Sequence, residues 1–243
     1  MNLSRGGPYW IDAHDRSAQF PDVELALCDP DGLLAVGGDL STKRLITAYR
    51  KGIFPWYNQD QPILWWSPNS RTVLFPERLH VSRSLQKVLA KNTYTVTLDT
   101  AFTRVIKACA GPRRGEPNGT WITAAMIAAY SKLHRMGLAH SAEAWHQGEL
   151  VGGIYGVAVG RVFFGESMFS HRANASKVAF VHLAQWLRDW GYVLLDCQTH
   201  SGHLAHFGAQ QIPRVEFTRL LTKWCDDSWN SGLERGDQVL VPS

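Results

Sequence analysis

Apolar residues recur along this chain with two different periods, and the change from one to the other divides it. A period near 3.6 marks the helices. Leu45, Ile46 and Tyr49 form a stripe behind a cap at Ser41 or Thr42, and Gly52 stops that helix before the Phe54-Pro55-Trp56 turn. Leu85, Val88 and Leu89 predict a helix over 82–91, on whose other face Arg83, Lys87 and Lys91 recur four residues apart. An amphipathic stretch covers 100–110, and Met126, Ile127, Tyr130 and Leu133 predict a helix from Thr123 to a stop at Gly137. A longer one runs from a cap at Asn174 through Trp190 to Gly191. Between these last two the period falls to two. Residues 138–146, 149–159 and 161–170 read as successive antiparallel strands joined at Gln147-Gly148 and Gly160. Residues 94–98 and 192–196 add two strands, the second buried and fed directly by the long helix. Helices flanking a mixed, mostly antiparallel sheet make an α+β protein.

The first 60 or so residues are different, being broken by Gly6-Gly7-Pro8, Asp29-Pro30-Asp31-Gly32 and Gly37-Gly38-Asp39. They predict a small N-terminal α/β module over 1–61, followed by one larger domain over 62–243, which a length of 243 residues accommodates. A composition of 45% hydrophobic and 19% charged residues, with ten Trp and ten Phe, excludes collagen, coiled coil and disordered tail. No apolar run approaches the roughly 18 residues of a membrane span, since the best, over 150–165, contains Arg161. The N-terminus has no apolar signal core, and Cys28, Cys109, Cys197 and Cys225 are scattered, which together predict a reducing cytoplasm.

The net charge is only +4, but its distribution is uneven: residues 78–135 carry ten Lys or Arg against Asp99 and Glu116. This concentration is either a solvated face or the footprint of a phosphate-rich partner. A loop over 111–119 adds Arg113 and Arg114 to it.

Three groups of residues could carry chemistry. Glu166 lies among Phe163, Phe164, Met168 and Phe169, so its carboxylate requires either a cation from the protein or the ammonium of a ligand. Asp196 and Gln198 share a face at a strand end, where Asp196 either orients Gln198 or caps a turn, while Gln198 offers donors and an acceptor to a reacting amine or carbonyl. Trp56, Trp65, Trp66 and Trp121 stand beside Pro or Gly or each other, as stacking surfaces or as packing between the two parts. His200, His203 and His206 lack metal-ligand spacing, and no nucleophile elbow or phosphate loop is present, so no metal or nucleotide cofactor is expected.

LLAVGGDLS (33–41), GIFPWY (52–57), PILWWSPNSR (62–71), GTWIT (119–123), HSAEAW (140–145), LVGGIYG (150–156), FFGESMFS (163–170), NASK (174–177) and DCQ (196–198) occur in this order. Together they resemble the leucyl/phenylalanyl-tRNA–protein transferases, over about residues 20–220. The resemblance implies a small N-terminal domain followed by a GCN5-related acetyltransferase-like domain, without metal or acetyl-CoA; the Q/R-x-x-G-x-G/A loop of acetyl-CoA-binding relatives is missing here. It implies transfer of Leu, also Phe and in some cases Met, from aminoacyl-tRNA to the N-terminal Arg or Lys of proteins. That addition marks them for degradation, and the enzyme is expected to be a cytoplasmic monomer. The rival classes are a non-catalytic RNA-binding module and an acyl-CoA-dependent acetyltransferase.

The same resemblance assigns roles. Glu166 would receive the α-ammonium of the esterified amino acid, and Phe163, Gly165, Ile154 and Leu195 would line its side-chain pocket. Trp56, Trp121 and Tyr130 would hold the 3′-terminal adenosine, and Arg83, Lys87 and Lys91 the phosphates of the acceptor stem. Asp196 and Gln198 would be catalytic, Gln198 positioning the acceptor amine and Asp196 orienting Gln198. Departures from the family pattern are Ile154 where many relatives have Met, Ser201 where some have Asn, His206-Phe207 in place of Ser-Leu, and a longer loop at 111–118.

Overall fold

Two sheets organise the chain, a small one that ends at Trp66 and a large one built from the residues after it. The computed structural model describes residues 7–15, 17, 19–112, 121–225 and 239–240. The first part holds β1 (Tyr9–Ile11), β2 (Leu33–Gly37), α1 (Thr42–Arg50), β3 (Phe54–Pro55) and β4 (Leu64–Trp66). Then come β5 (Ser70–Leu74), α2 (Arg83–Ala90), β6 (Thr95–Leu98), α3 (Phe102–Ala110) and α4 (Ala124–Arg135). They are followed by β7 (Ala139–His146), β8 (Glu149–Val159), β9 (Val162–Ser170), α5 (Ala175–Asp189) and β10 (Leu194–Gln198). The described chain closes with α6 (Gly202–Ala205), β11 (Gln210–Pro213), α7 (Arg214–Trp224) and β12 (Val239–Leu240).

The predicted starts and stops have identifiable causes. Ser41, Ser82 and Thr123 accept hydrogen bonds from the backbone N–H groups of Arg44, Leu85 and Met126, capping α1, α2 and α4. Gln147 and Gly148 both take positive φ, 51° and 79°, as a two-residue hairpin turn between β7 and β8 requires. Asn174 behaves otherwise. It occupies the cap position of α5 in the left-handed conformation and its side chain makes no capping bond; the Ser170 hydroxyl accepts from the N–H of Ser176 instead.

The large sheet has the order β11-β5-β10-β9-β8-β7-β6-β12 and is antiparallel at every junction except β9–β10. That junction is parallel because α5 carries the chain across the sheet between the two strands. The structure is therefore α+β with mixed sheets, as the periodicity predicts. The small sheet, β1-β2-β4-β3, extends the first part beyond the predicted limit at residue 61, since β4 lies at Leu64–Trp66. Its core is not separate either: Leu34, Tyr49 and Trp65 join Val105, Met126, Tyr130 and Phe164 in one buried cluster on one face of the large sheet. The other face carries a second cluster beneath α5, with Ile154, Phe163, Val178, Phe180, Leu183 and Leu195.

Two irregularities interrupt the middle of the large sheet. Between β8 and β9 the register runs Tyr155↔Ser167 and then Gly156↔Gly165, so Glu166 is the extra residue of a β-bulge. The bulge reverses the alternation: Phe164 belongs to the first cluster and Phe163 to the second, yet beyond Glu166 it is Phe169 that joins the first and Met168 that packs on the second. Between β9 and β10, pairing runs from Leu194↔Val162 to Asp196↔Phe164 and then ceases. The strands part immediately before Glu166 and Gln198.

The HSAEAW segment has a structural occupation. Glu143 is fully buried and accepts from the hydroxyls of Ser141, Thr97 and Thr100, a polar knot that ties β7 to β6 and the turn after it. Burial raises its carboxyl above the usual range against the pull of these hydroxyls.

Candidate active site

A cavity of about 260 Å³ opens where β9 and β10 part. Ile154, Gly165, Met168, Phe180 and Leu195 give it an apolar wall, and Glu166, Ser167, Asp196, Gln198, Thr199 and Ser201 are among its polar members. Trp56 and Trp121 line it as well, with Trp56 47% exposed and therefore presenting its ring to whatever approaches. That ring is held by its neighbour. Trp66 donates its indole N–H to the Trp56 carbonyl at 2.7 Å, and the two rings lie 5.8 Å apart. Trp65, by contrast, is fully buried and donates to the carbonyl of Gly37, so the adjacent pair divides between core and surface.

Glu166 reaches the cavity from the bulge with no cation within ion-pairing distance among the described residues. Its partners are hydroxyls: Tyr49 donates to Oε1 at 2.7 Å and Tyr130 to Oε2 at 3.0 Å, while the two phenol oxygens stand 2.5 Å from each other. The amide of Gln198 adds a third donor, Nε2 to Oε1 at 3.2 Å. Burial dominates nonetheless and, with the charge of Asp196, raises Glu166 to about 7 against the opposing effect of the tyrosine hydrogen bonds and Arg71. The same burial, and the nearby carboxylate, push both tyrosines well above the ordinary phenol value.

Asp196 is also fully buried, and its carboxylate is engaged by Arg71, whose Nε donates to Oδ1 at 2.8 Å and Nη2 to Oδ2 at 2.6 Å. Oδ1 accepts in addition from the backbone N–H of Gln198 at 2.9 Å. Asp196 thus meets the main chain of Gln198, while the side-chain amide of Gln198 turns to Glu166.

Several expected roles take a different form here. Tyr130 has no exposed surface for a nucleotide, because its ring is buried in the core and its hydroxyl is committed to Glu166. Phe163 is completely buried beside Ile154 and Leu195 and does not line the cavity, since Gly165, one step along the same face, is the residue at its surface. Ile154, Gly165, Leu195, Trp56, Trp121, Asp196 and Gln198 do converge on it. Arg83, Lys87 and Lys91 lie exposed along α2 and its C-terminal cap, outside the cavity lining. Arg113 and Arg114 lie outside the described residues. Phe207 is a core residue whose ring packs 4.6 Å from that of Phe180. Among the described residues no group of three or more His, Cys, Asp or Glu side chains is arranged to hold a metal ion.

Tyr49 and Arg71 are the residues that sequence reasoning missed. Tyr49 reads as part of an apolar stripe, and the strand around Arg71 gives no sign that its partner lies 125 residues away.

Comparison with known proteins identifies the family of the chain. The profile described as leucyl/phenylalanyl-tRNA protein transferase matches residues 73–222, and that of the N-terminal domain of the same family matches residues 38–69. The leucyl/phenylalanyl-tRNA–protein transferase of Nitrosospira multiformis is 59% identical over 218 residues, covering 86% of this chain and 94% of that protein. The protein of the same name from Stutzerimonas stutzeri is 56% identical, covering 89% and 95%. Among solved structures, L-PGS from Bacillus licheniformis has 13% identity and a TM-score of 0.39, over 68% of this chain and 53% of that one, too distant to bear on function. Matched in both its parts and over most of its length, the chain belongs to the leucyl/phenylalanyl-tRNA–protein transferase family.

Proposed function

We propose that the cavity between β9 and β10 receives the aminoacyl end of Leu-tRNA or Phe-tRNA, and that the enzyme transfers this residue to the α-amine of a protein's N-terminal Arg or Lys. The observation that carries the proposal is the juxtaposition of one buried carboxylate, supported only by neutral donors, with an apolar wall in the same cavity. An α-ammonium supplies the charge that Glu166 lacks, and a Leu or Phe side chain fills the space beside Ile154, Met168, Phe180 and Leu195. A charged side chain would lose its hydration there without a counter-ion, and a β-branched one would meet the wall close to its Cα.

The terminal adenosine then stands at Trp56 and Trp121, whose rings offer π-faces near the mouth. Arg83, Lys87 and Lys91 offer cations to backbone phosphates, contacts that position the stem without reading its sequence. Entry of the ammonium displaces the Gln198 amide from Glu166 and frees it to meet the reacting groups. Transfer is aminolysis: the acceptor amine nitrogen attacks the ester carbonyl, the C–N bond forms, and the C–O bond to the ribose breaks. The amine proton leaves to water while the ribose oxygen takes one up, so protons balance. A free α-amine has a pKa of about 7.7–8.0, which leaves enough neutral amine near pH 7 that positioning dominates over deprotonation.

The parallel β9–β10 pair that opens after Asp196↔Phe164 supports a GCN5-related fold for the larger part. The family resemblance extends the proposal to Met as a lesser donor, to acceptors marked for degradation, and to a cytoplasmic monomer.

Radiolabelled Leu-tRNA, offered without CoA to one peptide beginning with Arg and one beginning with Ala, tests this directly. Label is expected in the Arg peptide alone, with Glu166→Gln binding Leu-tRNA more weakly than wild type at pH 8. Tight tRNA binding without any transfer would reduce the protein to an RNA-binding module, and transfer only on addition of acyl-CoA would make it an acetyltransferase.

A further inference from the structure

Gln198 does not hold its position by itself. Its φ is +60°, in the left-handed region that a residue with a side chain seldom occupies, and it sits where β10 shifts register against β5, between Asp196↔Val73 and Gln198↔Thr72. The stabilising contact is the hydrogen bond from its N–H to Oδ1 of Asp196, two residues back, the closed loop of an Asx turn. That bond fixes Gln198 only as firmly as the Asp196 carboxylate is itself fixed.

Arg71 fixes it. The guanidinium grips both oxygens of Asp196, donates its remaining Nη1 to the carbonyl of Gly52 at 3.1 Å, and is stacked between the rings of Phe54 and Phe217, each 4.7 Å from its Cζ. Rotation of the Asp196 carboxylate about its terminal bond would break at least one limb of this fork. The fork also meets the segment that precedes Trp56, because Gly52 and Phe54 belong to it. One cation thereby sets the relative placement of the turn bearing Gln198 and the turn bearing a tryptophan of the cavity.

We infer that Arg71 is the positioning residue of the transfer reaction, acting through Asp196 to hold Gln198 in its left-handed conformation, and that Asp196 serves as a fixed bracket while taking no proton from the acceptor amine. This rests on the proposed role of Gln198 and goes beyond it by naming what sustains that role. A lysine at position 71 keeps the charge but loses the fork, since an ammonium cannot span two carboxylate oxygens and a carbonyl in one plane. An apolar pair, Arg71→Met with Asp196→Leu, removes the charges together and so leaves no buried ion unpaired.

The test is steady-state transfer from labelled Leu-tRNA to an Arg-initiated peptide, with each substrate varied, together with filter binding of Leu-tRNA and thermal melting, for wild type, Arg71→Lys, the apolar pair and Gln198→Ala. Misplacing Gln198 is expected to lower kcat about 100-fold in Arg71→Lys and to at least that extent in the apolar pair, with Leu-tRNA binding changed by less than about threefold in both. The apolar pair is expected to melt at or above the wild-type temperature, which separates positioning from folding. Arg71→Lys, or a folded apolar pair, turning over within about threefold of wild type would overturn the inference, as would a loss confined to Leu-tRNA binding. Should the apolar pair fail to fold, the kcat and binding of Arg71→Lys decide. A slow Gln198→Ala beside a fast Arg71→Lys would sink the Arg71 inference alone, whereas Gln198→Ala at wild-type kcat would sink the role of Gln198 with it.

Discussion

The charge on Glu166 depends on what fills the cavity. Within the protein alone its carboxyl is raised to about 7, chiefly by burial, against an ordinary value near 4.5. Below the ordinary value both folded and unfolded chains hold the proton. Between the two values the unfolded chain releases it first, so stability falls as pH rises through this window, by about 3 kcal/mol when the folded pKa has been passed. Glu166→Gln is therefore expected to melt above wild type at pH 8 and to lose that advantage near pH 4.5, and equal differences at both pH values in thermal melts without tRNA would refute it. Binding has the opposite sign. An α-ammonium pairs with the ionised carboxylate, so Leu-tRNA affinity should weaken by up to about tenfold per pH unit below 7 in wild type and stay level in Glu166→Gln. Ile154 governs shape rather than charge. It is 3% exposed, stands opposite Met168 in the register, and shares the apolar wall. Ile154→Ala deepens that wall and is expected to raise the kcat/KM of Phe-tRNA relative to Leu-tRNA about tenfold, measured by competition between the two donors.

At the scale of elements, α1 matters beyond its packing, because its last turn brings Tyr49 across to Glu166 on β9. Tyr49→Phe keeps the ring and removes one donor to the carboxylate. Leu-tRNA binding is expected to weaken about tenfold, with the acid limb of its pH profile displaced upward, because the ionised form has lost support. An unchanged limb would mean that Tyr130 and Gln198 suffice. The elements themselves were legible in the sequence wherever one period ran long enough. The 139–170 meander followed from its alternation, and α2 and α4 from their stripes and caps. The bulge at Glu166 was not legible, since one added residue in a strand changes no residue type, yet it decides that Met168 faces the cavity side. The family resemblance sets Tyr130 and Phe163 against ligand, and the chain's own periodicity could not correct that. Periodicity says which way a side chain points, but not whether another layer covers it, and here α1 and α5 supply that layer. Arg71 escaped notice because an arginine in a strand reads as exposed until its partner is known.

For the molecule as a whole, the proposed function gives the uneven charge a use, and the fold sets where it stands. Residues 78–135 hold ten basic side chains against two acids, and α2 turns Leu85 inward while Arg83, Lys87 and Lys91 remain exposed. The cavity lies elsewhere, between β9 and β10, and none of the three cations lines it. On the proposed assignment, affinity for the stem and chemistry at the aminoacyl end are thereby separable. Each phosphate contact releases condensed counterions, so the slope of log affinity against log salt counts such contacts at nearly one apiece on a duplex. Replacing Arg83, Lys87 and Lys91 together by Gln should shrink that slope by about 2 to 3 and raise the KM for Leu-tRNA by an order of magnitude or more near physiological salt. At saturating Leu-tRNA the triple variant should transfer at the wild-type kcat, because Glu166, Gln198 and the Arg71–Asp196 fork are untouched. A wild-type salt slope in the triple variant would assign the phosphates to another part of the basic segment. A fall in kcat at saturation would show that α2 aligns the aminoacyl end as well as holding the stem.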